Sequence, residues 1–185
     1  MPSKALVWFK RDLRLRDHAP LAHAVLHDES VGLYIIEPEW ISSQEFDAQH
    51  LEFVLQSLAE LRAALAQRGL PLLVRVGSAL NVLSQLRSEF AFTHVLSHEE
   101  TGSGWTYTRD RAVAAWCKAH GVQWQQWPHT GVVRRLVTRA GWAGQWATRM
   151  NAIEIATPTG FPGSTFEMHD LPTLASLGVR QHARV

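Results

Sequence analysis

A charged segment follows the first apolar run of the chain, and its residue types define the first candidate chemistry. After residues 5–9 come Lys10, Arg11, Asp12 and, two positions later, Arg14. A carboxylate between two guanidinium groups can form bidentate, charge-assisted pairs. We therefore expect Asp12 and Arg14 to be structural residues that fix this loop through Arg–Asp pairs.

Other spacings that could carry chemistry are incomplete. His23 and His27 lie one helical turn apart, and His94 and His98 lie on one face of an expected strand. No third ligand follows at a known metal-site spacing, so we expect these side chains to be solvated and predict no metal site. A GxG sequence fails to complete the dinucleotide fingerprint, and no GxxxxGK[ST] sequence occurs.

The elements that position these residues alternate between short apolar runs and helical patterns. Unbroken apolar runs are typical of strands covered on both faces, as in parallel sheets. The pattern predicts a doubly wound, Rossmann-like α/β fold with a five-stranded parallel sheet in three layers. The expected strands lie at residues 5–9, 31–36, 72–76, 94–97 and 122–127, and the expected helices at 45–67, 78–86 and 105–120.

Open α/β sheets bind ligands beyond the carboxyl ends of their strands, where the strand order reverses. This rule selects the residues that follow each expected strand. They are residues 10–17, 37–38, 77–78, 98–105 and 128–130.

The stretch VWFKRDLRLRDH at residues 7–18 resembles the opening of the DNA photolyase and cryptochrome flavoproteins, W-F-[RK]-x-D-L-R-x-x-D. Residues 49–77 and the HEETG sequence at 98–102, which leads to Arg109 and Asp110, resemble the same family in register. The likeness covers about residues 4–150. It implies that Arg109 and Asp110 belong to a structural motif of an N-terminal α/β domain that binds an antenna chromophore.

Members of this family continue into a helical domain that holds FAD and docks damaged DNA. We expect residues 1–150 to be the antenna domain and residues 151–185 to be an interdomain linker or tail, without the helical domain. The resemblance implies a light-harvesting role in a protein of DNA repair or photoreception. FAD and damaged DNA would then bind only to the full-length protein, and we expect no lyase activity from this chain alone.

An antenna chromophore has a flat aromatic body and a polar tail, so it needs an apolar slot with a few polar groups. Family members use a folate, a deazaflavin or FMN. At the position where folate-binding members carry an Asn-Glu pair, this sequence reads WTYTRD at residues 105–110, which favours deazaflavin or FMN over folate. The residues that we predict to contact the ligand are Phe9, Lys10, Arg11, Ile36, Glu37, Glu99 and Trp105.

A second hypothesis rests on residues 111–153, which contain six Lys or Arg residues and no acidic residue. Trp142 and Trp146 are at helical spacing within this stretch. The chain could be a non-catalytic interaction module that docks a helical partner, or itself, through the Trp142/Trp146 face.

The composition excludes several classes of protein. The chain has 185 residues, a formal net charge of +1 and 46% hydrophobic residues, which excludes a disordered polyampholyte. No apolar run approaches the roughly 20 residues that span a bilayer. A single cysteine, Cys117, excludes an intramolecular disulfide. We expect a cytoplasmic protein with no membrane partner.

Overall fold

The computed structural model describes residues 2–134, 136, 138–164 and 166–180. Within them the chain forms one five-stranded parallel sheet in the order β3-β2-β1-β4-β5, which confirms the predicted fold class. The strand order reverses between β1 and β4. The strands are β1 (Lys4–Phe9), β2 (Glu29–Ile36), β3 (Leu72–Val76), β4 (His94–His98) and β5 (Gln123–Trp127).

The helices connect these strands and cover both faces of the sheet. They are α1 (Ala19–Ala24), α2 (Pro38–Ile41), α3 (Ala48–Ala66), α4 (Ala79–Phe90), α5 (Gly104–Ala119) and α6 (Trp142–Met150). The predicted helix over 45–67 begins three residues later, where the Asp47 carboxylate accepts a hydrogen bond from the Gln49 N–H. It stops before Gly69, whose φ of +83° suits a glycine.

Alternation along β1 builds two apolar layers. Leu6 and Trp8 point to one face, where they pack with residues of α4 and α5. Ala5, Val7 and Phe9 point to the other face, where they pack with residues of α1 and α3. The sheet is therefore buried on both sides, which explains the unbroken apolar runs of its central strands.

The described residues beyond α6 form no further helix or strand, and they run back along the domain. The Asp17 N–H donates to the Ile155 carbonyl at 2.9 Å, and the Phe161 N–H donates to the Arg68 carbonyl at 2.8 Å. The boundary at residue 150 stays a prediction, and residues 181–185 lie outside the described part of the chain. None of the described helices combines the length and apolarity that crossing a membrane would require.

Candidate functional site

A cavity of about 570 Å³ opens at the carboxyl ends of β1 and β2, between α3 and α5. Its volume lies in the range that drug-sized ligands and cofactors occupy, roughly 300–1,000 Å³. Aromatic rings and charged groups both line its walls. They include Trp8, Phe9, Lys10, Arg11, Tyr34, Glu37, Trp40, Phe53, Glu100, Trp105 and Arg109.

The structure brings five of the seven predicted ligand contacts onto this wall. They are Phe9, Lys10, Arg11, Glu37 and Trp105. They meet because β1 and β2 are parallel neighbours, with Phe9 opposite Tyr34, so the loops that leave them start side by side. Their contact with a ligand stays a prediction.

Ile36 and Glu99 are not among the described residues that line this cavity. Ile36 is fully buried and packs into the apolar layer beneath α3, while its neighbour Ile35 reaches the wall. Beyond β4, Glu100 lines the cavity and Glu99 lines a smaller hollow next to it. Successive side chains of an extended segment point in opposite directions, so Ile35 and Glu100 face this cavity while Ile36 and Glu99 do not. Contact of Ile36 and Glu99 with a ligand also stays a prediction.

Arg109 joins three carboxylates at one edge of the cavity. Its guanidinium donates to the Glu37 and Glu100 carboxylates, and its Nη2 lies 2.8 Å from Asp110 Oδ1. Asp110 also forms an ion pair with Lys10, whose Nζ lies 3.3 Å from Asp110 Oδ2. The family motif predicted Arg109 and Asp110 as structural residues, and nothing in the sequence indicated that Arg109 also lines the cavity.

Burial and pairing set the charges of this network. Burial opposes the charge of Arg109, yet Glu100, Glu37 and Asp110 outweigh it and raise its pKa. Burial raises the pKa of Glu37, and Arg109 opposes that change. The result is a polar floor whose charges are compensated, because a buried charge without a partner is costly.

Trp105 on the cavity wall carries a buried indole N–H. The buried Nε1–H of Trp105 has no hydrogen-bond partner among the described residues. Trp8, which also lines the cavity, is almost completely buried. Lys10 Nζ lies 4.5 Å from the centroid of the Trp8 ring. Aromatic walls, compensated polar groups and an unused indole N–H fit a flat heteroaromatic ligand such as a flavin.

Asp12 lies in a buried cluster beside this cavity, and the predicted Arg–Asp–Arg pairing is wrong. The Asp12 carboxylate accepts from the Lys10 backbone N–H at 2.7 Å and from His98 Nδ1 at 2.6 Å, and lies 3.0 Å from His18 Nε2. The loop turns Asp12 inward, whereas Arg14 donates to the backbone carbonyls of Arg16 and Asp17. Burial opposes ionisation of Asp12, but hydrogen bonds from His18 and His98 hold its pKa well below the usual range.

Asp12, His18 and His98 are close enough to hold a metal ion, since their potential ligand atoms lie within 4.8 Å of one another. The hydrogen bonds argue for a different use. His18 Nδ1 accepts from the Leu21 N–H at 3.1 Å, so the hydrogen of a neutral ring sits on Nε2, which then cannot bind a metal. His98 is therefore buried and hydrogen-bonded, and the expectation that it is solvated is wrong.

Two exposed tryptophans lie on α6. Trp142 and Trp146 are 41% and 44% exposed, with ring centroids 6.5 Å apart. They line an open hollow together with Val132 and Leu136. Arg149, one of the basic residues noted in the sequence, donates to the carbonyls of Thr130 and Val132, so it anchors the preceding loop.

The fold is that of a Rossmann-like domain with a cavity beyond its central strands. The sequence profile of the DNA photolyase family matches residues 5–141. The chain therefore belongs to the DNA photolyase family.

Relatives and solved structures agree with this assignment. A cryptochrome DASH from Gloeobacter violaceus is 38% identical over 105 residues, which is 53% of this chain and 21% of that protein. The deoxyribodipyrimidine photo-lyase of Escherichia coli is 32% identical over 96 residues, 49% of this chain and 20% of the enzyme. The chain thus matches only a minor part of the length of these relatives.

The fold is shared with two solved photolyases. The class III photolyase of Agrobacterium tumefaciens superposes with a TM-score of 0.79 at 21% identity, over 96% of this chain and 38% of that one. An archaeal photolyase from Sulfolobus tokodaii, solved with two FAD molecules, gives a TM-score of 0.66 at 20% identity, over 90% of this chain and 38% of that one.

Proposed function

We propose that the 570 Å³ cavity binds a flavin or a deazaflavin and that the chain is the light-harvesting domain of a photolyase- or cryptochrome-like protein. The observation that carries this proposal is the cavity itself, which is walled by aromatic rings, among them Trp105, whose buried Nε1–H has no hydrogen-bond partner among the described residues. A turn of the indole ring would let a ring carbonyl or nitrogen of the ligand accept that hydrogen bond. Glu37 and Glu100 would accept hydrogen bonds from ring N–H groups.

The sequence favours these ligands over a folate. Where folate-binding members of the family carry an Asn-Glu pair, this chain reads WTYTRD at residues 105–110. The S. tokodaii photolyase, with its two FAD molecules and the novel light-harvesting cofactor that they imply, supports a flavin in this role.

The wider role follows from the family. We propose that absorbed energy passes to FAD in a helical region of the full-length protein, in the cytoplasm, and that DNA contacts belong to that region. This chain spans 21% of the length of the G. violaceus cryptochrome and 20% of the E. coli enzyme. We expect no repair of pyrimidine dimers when this chain alone is given FAD and light.

The test is a titration of the purified chain with FMN, a deazaflavin and a folate, followed by ligand fluorescence and visible absorption. We expect FMN or the deazaflavin to bind at least tenfold more tightly than the folate. Trp105→Phe keeps an aromatic side chain but removes the indole N–H, so it weakens binding about three- to tenfold. Trp142→Phe is the matched control and leaves binding unchanged. Absence of binding by FMN and by the deazaflavin contradicts the proposal.

The exposed tryptophans of α6 favour a second candidate, an interaction module without a chromophore. Trp142 and Trp146 would then dock a helical partner or a second copy of the chain, because exposed apolar patches mark interaction sites. Size-exclusion chromatography with light scattering tests self-association. A monomer at 100 µM concentration that is unaffected by Trp146→Ser counts against docking of a second copy.

A further inference from the structure

Two neighbouring cavities share a wall at the top of the sheet. The smaller one, about 150 Å³, lies where the strand order reverses between β1 and β4. Lys10, Arg11 and Glu100 line both cavities. Arg11 forms the movable part of this wall, because its side chain is 60% exposed and one ion pair to Glu100, at 3.3 Å, holds it.

The smaller cavity is polar, and its acidic groups differ in their hydrogen-bond and ion-pair partners. The Asp12 carboxylate contacts His18 and His98, and the Glu100 carboxylate forms ion pairs with Arg109 and Arg11. Glu99 differs, because within the described residues its carboxylate has no hydrogen-bond or ion-pair partner, although its backbone N–H is bonded to Trp127. The hydroxyl of Thr101, on the same wall, likewise has no partner among those residues.

The two cavities differ in what they can hold. The larger has room and aromatic walls for a ring system. The smaller has about a quarter of that volume and offers a carboxylate acceptor, hydroxyl groups and imidazoles. A chain of hydroxyl-bearing carbons fits the smaller one, since each hydroxyl can donate one hydrogen bond and accept others.

We propose that the smaller cavity is a subsite for the polyhydroxyl side chain of the ligand, which passes Arg11 and donates hydrogen bonds to Glu99 while its ring occupies the larger cavity. This inference rests on the proposed flavin or deazaflavin function. It gives Glu99 a place in binding that differs from the ring contact predicted from sequence, because the side chain faces the other cavity.

The test compares riboflavin with lumiflavin, which has the same isoalloxazine ring with a methyl group in place of the ribityl chain. Dissociation constants come from fluorescence titration of the purified chain. We expect riboflavin to bind at least tenfold more tightly than lumiflavin. Glu99→Ala and Thr101→Val each weaken riboflavin binding about three- to tenfold and leave lumiflavin binding unchanged. Glu99→Gln keeps an acceptor oxygen, so we expect it to weaken riboflavin binding much less than Glu99→Ala does.

Glu60→Ala, an exposed carboxylate of α3, is the control and changes neither constant. Thermal melting of each variant checks that the fold is intact. If riboflavin and lumiflavin bind equally, or if Glu99→Ala weakens both alike, the subsite is refuted while the flavin site stands. If neither compound binds and FMN and the deazaflavin also fail, the proposed function and this inference both fall.

Discussion

The strand-end cavity and the α6 face present aromatic residues in opposite ways. At the cavity, Trp8 is fully buried and Trp105 is partly buried beside a network of compensated charges. On α6, Trp142 and Trp146 stand exposed on a helix that has no buried residue. The first arrangement is a preformed cavity, and the second is an exposed apolar face beside an open hollow.

This difference separates two kinds of recognition within one small domain. The cavity is fixed by the core, because its floor consists of strand residues and of ion pairs between distant segments. The α6 face contributes little to the core, so its apolar residues are available to a partner. Stability and binding measurements should therefore respond differently to matched changes in the two regions.

The largest difference is expected between two Trp→Ala substitutions. Trp8→Ala removes a buried ring that packs against Trp124 and beneath Lys10, and we expect a loss of about 3–5 kcal/mol in the free energy of unfolding. Trp142→Ala should cost less than about 1 kcal/mol, since the ring is exposed. Urea unfolding followed by circular dichroism measures both. Equal losses would show that α6 is part of the core.

The charge network provides the next test. Arg109→Met keeps the length of the side chain but leaves three buried carboxylates without their guanidinium, so we expect a loss of about 3 kcal/mol. Arg111→Met, on the exposed side of the same helix, should change stability by less than about 0.5 kcal/mol. If Arg109→Met leaves the free energy of unfolding unchanged, the network does not stabilise the cavity.

Much of the cavity's location was predictable from the sequence, and its chemistry was less so. Unbroken apolar runs predicted the strands, and the parallel sheet then predicted a crevice at their carboxyl ends. Which of Glu99 and Glu100 faces the larger cavity was not predictable, because past the end of a strand residue spacing no longer fixes the direction of a side chain. The bond between Asp12 and His98 joins residues 86 positions apart, and nothing local in the sequence indicates such a pair.

A smaller effect is expected from pH. Burial lowers the pKa of His18, with Asp12 opposing, so the ring stays neutral where the unfolded chain takes up a proton. The unfolded state then binds more protons, and the free energy of unfolding falls as pH drops below about 6.5. His18→Asn keeps an acceptor for the Leu21 N–H and removes this titration.

Urea unfolding at pH 7.5 and pH 5.5 measures the difference. We expect the decrease in stability between these two values to be smaller in His18→Asn than in the original chain. His27 and His129 also have lowered pKa values through burial, so a smaller decrease persists. An identical decrease in both proteins would show that His18 does not contribute.

The central claim is that the ligand occupies the strand-end cavity and not the α6 face. The indole N–H signals of an NMR spectrum, recorded during titration with FMN or a deazaflavin, report on both regions at once. We predict that the Trp105 indole signal shifts as its N–H gains an acceptor, while those of Trp142 and Trp146 stay in place. Shifts at Trp142 and Trp146 with none at Trp105 would contradict the account.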